Sequence, residues 1–520
     1  MTKKVLLVFL LISVHYILQS QEYFNYRFDY TCPGVSDGAS NVFVTTDGYI
    51  IGGTTGTAAN NSRPRAGFFK TDFSGNKIFS KFIGDTVSDY YLGEPGSIIR
   101  VNDTLIVASG FRVTPTADFH EEGMLYFLDN DFDTLCVRNF SEKSLPFDTS
   151  IIFYQVKKTN QDDLIVTGIK RKNGTPDKIL LIKTDYLGNL VWEKTYGGGG
   201  DYFEGYSVIC TSDGGYAIGG YNWHLRPSPN LTGDPVVYKT DSTGNFKWSY
   251  NYGTPFIDTR GMLCSTIDGN MILGFAYCDS MHGGGPSTEG NPFRRINLIK
   301  IDNGGNTIWN KKYGASEENM DFSNIRENPD GTLIATGTIL QFFPTSYRQV
   351  GWILKTTSEG DSLWYRQYDV CDGEATWHWL YDVIETPDKG YLACGMVFPE
   401  PPDTGSNDGW ILKVDSMGCE SPDYCWVGIK SESVVYQNTV LEISPNPAGS
   451  EAVITIRSNG YISYLKIYIY DLFGREAKVL DLLPGQYSIS IDVSGLPDGL
   501  YMTVVRSGNR IVAAQKIVKM

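Results

Sequence analysis

The chain has 520 residues, enough for a large core and for more than one domain, and its 41% hydrophobic and 20% charged content is that of a globular protein. A net charge of −15 with no lysine and arginine cluster excludes a nucleic-acid partner, because it would repel a phosphate backbone. The 56 glycines, 33 tyrosines, 26 phenylalanines and 10 tryptophans favour turns and strands, so an all-β fold is expected.

At the N-terminus, Lys3 and Lys4 precede an apolar run from Val5 to Val14, and Leu18-Gln19-Ser20 places a small residue before a cut. This is the layout of a secretory signal peptide over residues 1–20, with an apolar run too short to span a membrane. The strand-like segment Tyr23 to Tyr30 follows.

Two anchors then recur together. The first is a Lys-Thr-Asp type sequence, turn and tryptophan, clearest at Lys183 to Gly197, Lys239 to Gly253 and Lys300 to Gly314. Its third position falls at Asp72, Asp129, Asp185, Asp241, Asp302, Thr357 and Asp415, spacings of 55 to 61 residues. The second is an Asp-Gly or similar turn followed by a short apolar run ending in glycine, at Asp47, Asp103, Asp163, Asp213, Asp268, Asp330 and Asp388. Both give seven units.

Each unit reads as four strands. In one of them these are Tyr206 to Thr211, Gly215 to Tyr221, Pro235 to Asp241 and Phe246 to Tyr252, with Asp-Gly turns suited to antiparallel hairpins. Repeated four-stranded units predict a seven-bladed β-propeller over residues 21–415. The seventh unit has no tryptophan-bearing fourth strand after Gly418, so the N-terminal strand 23–30 is expected to complete it and leave no open edge. Trp192, Trp248, Trp309, Trp364 and Phe79 share one position of the fourth strand and should pack between blades. Burying a tryptophan there is worth roughly 4 to 6 kcal/mol gross. Cys136 occupies the same position in the second unit, which makes that junction the weakest expected.

Residues 416–437 read as a linker, and residues 438–520 as a small C-terminal β-sandwich of short alternating strands. Its motifs are Ser444-Pro445-Asn446-Pro447, Tyr470-Asp471-Leu472-Phe473-Gly474, Leu496-Pro497-Asp498-Gly499-Leu500-Tyr501 and Gln515-Lys516-Ile517-Val518-Lys519. In order and spacing this segment resembles the type A C-terminal sorting domain of type IX secretion cargo. The resemblance implies a Bacteroidetes source, Sec export, and recognition of residues 438–520 by the type IX machinery. It also implies removal of the domain, with the mature protein released or attached to the outer-membrane surface.

The nine cysteines lie mostly singly in strand-like runs, as buried free thiols would, while Cys419 and Cys425 are the expected disulfide. No spacing suggests zinc, and no cofactor is implied. Asp129, Asp131 and Asp133 lack the glycine and glutamate of a calcium loop and read as turn chemistry.

Irregular residues gather in the second-to-third loops, at Asn222 to Asp234, Cys278 to Arg295, Gln341 to Gln349 and Phe398 to Asp408. These loops open on the same face as the fourth-to-first connections, the face where binding is expected. The candidate ligand-binding residues there are Trp223, His224, Trp377, His378 and Trp379, whose rings suit a sugar or peptide. The competing reading is that Trp377 and Trp379 cap the core at blade junctions. The sequence thus points to an exported binding module for an extracellular polymer, glycan or surface protein. The alternative is a carbohydrate-active hydrolase or lyase using acidic residues on that face.

Overall fold

The computed structural model describes residues 22–30, 36–56, 63–114, 120–141, 149–225, 231–282, 291–315, 318–342, 347–371, 373, 375–401, 403, 406–421, 440–457, 465–471, 476–482, 487–507 and 510–520. Two compact units divide at Glu420 and Ser421.

The first unit is a seven-bladed β-propeller. Blades one to six span residues 37–83, 89–140, 149–196, 202–251, 262–313 and 319–368, each a meander of four antiparallel strands, with the first strand of blade two broken in two. Blade seven takes three strands from residues 377–414 and its fourth from Phe24–Phe28, which pairs antiparallel with Asp408–Val414. Phe24 stands opposite Lys413, as Trp192 stands opposite Lys183 and Trp248 opposite Lys239. The N-terminal strand therefore supplies the missing aromatic position.

The two sequence anchors meet as ion pairs. The anchor lysine of the third strand reaches the aspartate of the first-to-second turn in Lys70–Asp47, Lys183–Asp163, Lys239–Asp213, Lys300–Asp268 and Lys413–Asp388, at 2.7 to 2.9 Å. In blade two Phe127 replaces the lysine, opposite Cys136. The other end of the anchor builds the third-to-fourth turn. Asp185 Oδ1 accepts the N–H groups of Leu187 and Asn189, and Gly188 adopts φ 82°. Asp129 does the same for Asp131 and Asp133, which is the turn role expected of that acidic run.

The strand-four aromatics bridge to the next blade. Trp192 and Trp309 lie within 3.1 Å of where a side chain on Gly244 or Gly360 would begin, so those turns admit only glycine. Trp248 Nε1 donates to Asn303 O at 3.0 Å and Trp364 Nε1 to Ser416 O at 3.1 Å. Between blades one and two the sizes are exchanged. Phe79 replaces the tryptophan and Phe132, at φ 62°, replaces the glycine, both in one core cluster. At the Cys136 junction, Phe127 and Arg138 crowd Gly188, and Arg138 Nε donates to Leu187 O at 3.2 Å. The space left by the missing tryptophan is filled.

Nearer the axis, polar side chains link successive first strands. Asn41 Oδ1 accepts Ser97 N–H, Gln155 Oε1 accepts Val208 N–H and Ser207 Oγ accepts Leu263 N–H, each at 2.9 Å. Asn324 Nδ2 donates to Asp382 Oδ1 at 2.7 Å.

The second unit is a sandwich of a three-stranded and a four-stranded sheet around Ile454, Ile467, Ile469, Ile491, Val505 and Ile517. Asn446 clamps the last strand: its Nδ2 donates to Lys516 O at 2.7 Å and its Oδ1 accepts Val518 N–H at 2.9 Å. Tyr501 Oη donates to Pro497 O at 2.8 Å. Leu472, Phe473 and Gly474 lie outside the described residues.

One sequence expectation changes. The segments Asn222 to Asp234 and Cys278 to Arg295 are largely ladder rather than loop. Their hairpins stay paired out to Leu225 opposite Leu231 and His282 opposite Asn291, because the alternation of the flanking strands continues through them. Cys419 is disulfide-bonded, and its expected partner Cys425 lies outside the described residues.

Candidate functional site

The first strand of each blade lines the axis, and alternate residues along it are partly exposed. On blade seven these are Trp377, Trp379 and Tyr381, separated by buried His378 and Leu380. On blade four they are Tyr202, Glu204 and Tyr206. A bulge at the third such residue, between Gly205 and Ser207 and again between Leu380 and Asp382, turns the next polar group into the blade-to-blade girdle.

The axis is crossed by an ion pair. Arg260, in the segment entering blade five, reaches Glu94 of blade two with both guanidinium nitrogens, at 3.1 and 2.7 Å. The Arg260 guanidinium also sits 4.7 Å over the Tyr206 ring, which stacks on Tyr154 at 4.8 Å and 6°. Tyr206 Oη donates to Glu204. Burial raises the Glu204 carboxyl, while Tyr206, Arg171 and the Trp223 indole hold it down in part. Burial also pushes the Tyr154, Tyr206 and Tyr381 hydroxyls up, and Glu94 adds to the rise of Tyr154 and Tyr381. Blades two, three, four, five and seven thus meet on the axis.

Trp377 is the centre of an aromatic row at the start of blade seven. Its ring lies 5.6 Å from Tyr347, 5.4 Å from Trp379 and 6.3 Å from Phe398. Tyr347 and Phe398 are 47% and 42% exposed, so the row has an open side. Trp377 and Trp379 are partly exposed and do not cap a closed core.

His378 has a different role. It is fully buried, its Nε2 accepts Cys371 N–H at 3.1 Å, and Nδ1 lies 3.0 Å from Gln349 O. These contacts fix the Nδ1–H tautomer and use both ring nitrogens inside the protein, with the ring edge-on to Trp410 at 5.5 Å. Trp223 packs edge-on against Tyr221 at 4.6 Å on blade four, three blades from Trp377, so the two tryptophan groups do not touch. His224 faces Thr232 in the ladder, and its side chain lies outside the described residues. Among the described residues no three His, Cys, Asp or Glu side chains group as metal ligands.

Sequence reasoning missed Tyr154, Tyr206, Arg260, Glu94 and Tyr381. A signal was present: Tyr154-Gln155-Val156, Tyr206-Ser207-Val208 and Tyr381-Asp382-Val383 repeat at one unit position. Arg260 and Glu94 have no such signal, since their blades break the repeat at that point.

In the second unit, the Asn446 clamp ties the Ser444–Pro447 motif to the Gln515–Lys519 motif, and the Tyr501 bond closes the Leu496–Tyr501 motif on itself. Residues 442–520 match the secretion system C-terminal sorting domain. The sorting domain covers 79 of the 520 residues and assigns an export route to the chain, with no activity for the propeller. No curated protein matches the chain. Similar solved structures include the GH93 alpha-L-arabinofuranosidase of Fusarium graminearum with arabinobiose, at 10% identity and TM-score 0.37, covering 63% of this chain and 97% of that one. The Penicillium chrysogenum alpha-L-arabinanase complexed with arabinobiose is 11% identical with TM-score 0.37, covering 76% and 97%. A fungal alcohol oxidase of the AA5 family in complex with copper is 11% identical with TM-score 0.40, covering 96% and 99%. Likeness at this level carries nothing about activity.

Proposed function

We propose that this protein is an exported binding module that takes an extracellular polymer or a surface protein on the aromatic face of its propeller. The observation that carries the reading is the Trp377 row, in which four rings lie side by side and two of them are open to solvent. Flat apolar rings with polar edges suit sugar faces and peptide side chains, and they sit on the ends of rigid strands. The sorting domain supports export, and the notable similarity of its motifs to type A domains favours the type IX route from a Bacteroidetes cell. On this reading residues 1–20 are a signal peptide and 416–437 a linker. The propeller is released or attached to the outer-membrane surface once the sorting domain has been removed.

A hydrolase or lyase is the second reading, favoured by one observation: the Glu204 carboxyl is raised by burial beside Tyr206 and the Arg260–Glu94 pair, as a general acid would need. A glycan and peptide array, run beside a turnover assay on the bound ligands, separates the two. Turnover would sink the binding-module reading. Binding that is lost in Trp377→Ala without any turnover would count against the enzyme.

A further inference from the structure

The propeller has a second mouth, on the face opposite the aromatic row, where the first-to-second turns lie. A cavity of about 600 Å³ opens there between the first strands of blades three to seven. Lys157 and Arg326 are among its lining residues. Arg326 is matched: its Nη2 lies 2.9 and 2.7 Å from the two Asp382 oxygens. Asp382 is saturated in turn by Asn324, Val42 and Val383.

Lys157 is not matched. Among the described residues its one hydrogen bond runs from Nζ to Gly96 O at 3.1 Å, and it makes no ion pair. The buried anchor lysines of five blades, by contrast, each have an aspartate. An ammonium has three donors, so two remain for a ligand. The charged and titratable groups around it are Arg326, Asp382 and the Cys264 and Cys210 thiols. Glu327 and Glu385 line the cavity toward the turns, where Glu327 accepts Ile267 N–H at 2.6 Å and Glu385 pairs with Lys389 at 2.6 Å. Burial first, and Arg326 second, push the Lys157 amine down to about 8, partly offset by Asp382, so it is mostly cationic at neutral pH with no carboxylate in contact.

We propose that this cavity binds a small carboxylate-bearing molecule, with its carboxylate on Lys157 Nζ and its body against Ile209, Leu263 and Ile384. One unmatched positive charge calls for a monoanion, and the nearby Asp382, Glu327 and Glu385 disfavour a polyanion. The volume is that of a small-molecule site. An acidic sugar and a peptide terminus carry the same group, so the test uses both.

Isothermal titration of the full chain at pH 7 with D-glucuronate, N-acetyl-leucine and the primary amide of each would decide it. At least one acid should bind ten or more times tighter than its amide, and the acid that binds names the source. Its affinity should fall as the pH passes 8 and the amine loses its proton. Lys157→Met should cost that acid at least tenfold while leaving the melting temperature equal or higher, since it removes an unmatched charge. Trp377→Ala should leave it unchanged, so this result stands apart from the fate of the aromatic face. If the variant does not fold, protection of Lys157 from acetylation by the bound acid, read by mass spectrometry on the wild type, replaces it. Equal binding of acid and amide, no binding of either acid, or an unprotected Lys157 would overturn the proposal.

Discussion

Asp382 Oδ2 accepts the backbone N–H of Val42 at 3.0 Å, bonding blade seven to blade one where the repeats end and begin again. The same carboxylate takes Asn324 and the Arg326 guanidinium from blade six. One fully buried side chain therefore joins three blades. Asp382→Ala leaves Arg326 without its counter-charge and Val42 N–H without an acceptor, and should cost about 3 to 5 kcal/mol. Chemical unfolding monitored by tryptophan fluorescence checks this, and a loss below about 1 kcal/mol would mean that the ring closes by other contacts.

The outer strand closes the ring a second time. Asn25 Oδ1 accepts Trp410 Nε1 at 2.7 Å, and Asn25 Nδ2 donates to Asp369 O at 2.7 Å. Tyr26 Oη donates to Gly75 O of blade one, as Tyr196 Oη does to Gly244 O and Tyr368 Oη to Gly418 O. Asn25→Leu orphans the Trp410 indole and should destabilise by about 2 kcal/mol. Tyr26→Phe should cost about 1 kcal/mol. The order of the two, read from melting temperatures, is the test.

The anchor ion pairs predict an asymmetry. Lys239 is 1% exposed while its partner Asp213 is 48% exposed. Asp213→Ala strands a buried ammonium and should cost about 3 kcal/mol or more, whereas Lys239→Met returns Asp213 to water and should cost within about 1 kcal/mol. Equal losses in equilibrium unfolding would show that the lysine is hydrated after all.

Exchanged sizes at the first junction make Phe79 and Phe132 a coupled pair. Phe79→Trp alone should overpack and cost about 1 to 3 kcal/mol, and adding Phe132→Gly should recover most of it, as in the Trp192 and Gly244 junction. A double-mutant cycle measures the coupling, and additive losses would refute it.

Two buried carboxyls set a pH dependence. Burial raises Asp37 and Asp258 to about 6. In the unfolded chain both titrate near pH 3.9. The folded state binds these protons more tightly, so their contribution is fully present below about pH 4 and is lost as the pH climbs through about 6. The turn carboxylates have the opposite sign: Asn306 lowers Asp302 and Asn76 lowers Asp72, so their contribution is lost only as the pH falls below about 4. Between pH 4.5 and 7 the wild type should lose up to about 2 kcal/mol more per group than Asp37→Asn or Asp258→Asn. Denaturant midpoints at the two pH values check it.

The blade architecture was legible because each repeat carries its own turn chemistry. Asp185, Gly188 and Trp192 do locally what their spacing suggests, and the Lys239–Asp213 contact explains why the two anchors count alike. The aromatic row was legible in part. Trp377 and Trp379 are partly exposed, but alternation along one strand carries His378 to the buried side. The Arg260–Glu94 pair was not legible, because it joins residues 166 apart in blades two and five, whose first strands depart from the repeat. Nor was the length of the Met271–His282 hairpin, whose outer end is rich in the glycine and polar residues that otherwise mark loops.

The most direct measurement is array binding of the full chain compared with Trp377→Ala and Trp379→Ala, with His378→Gln as a buried control checked for folding. Loss of at least tenfold in affinity for the bound ligand in both tryptophan variants, with folding intact, is the expected result. Unchanged binding in Trp377→Ala and Trp379→Ala would contradict a ligand site on the aromatic row.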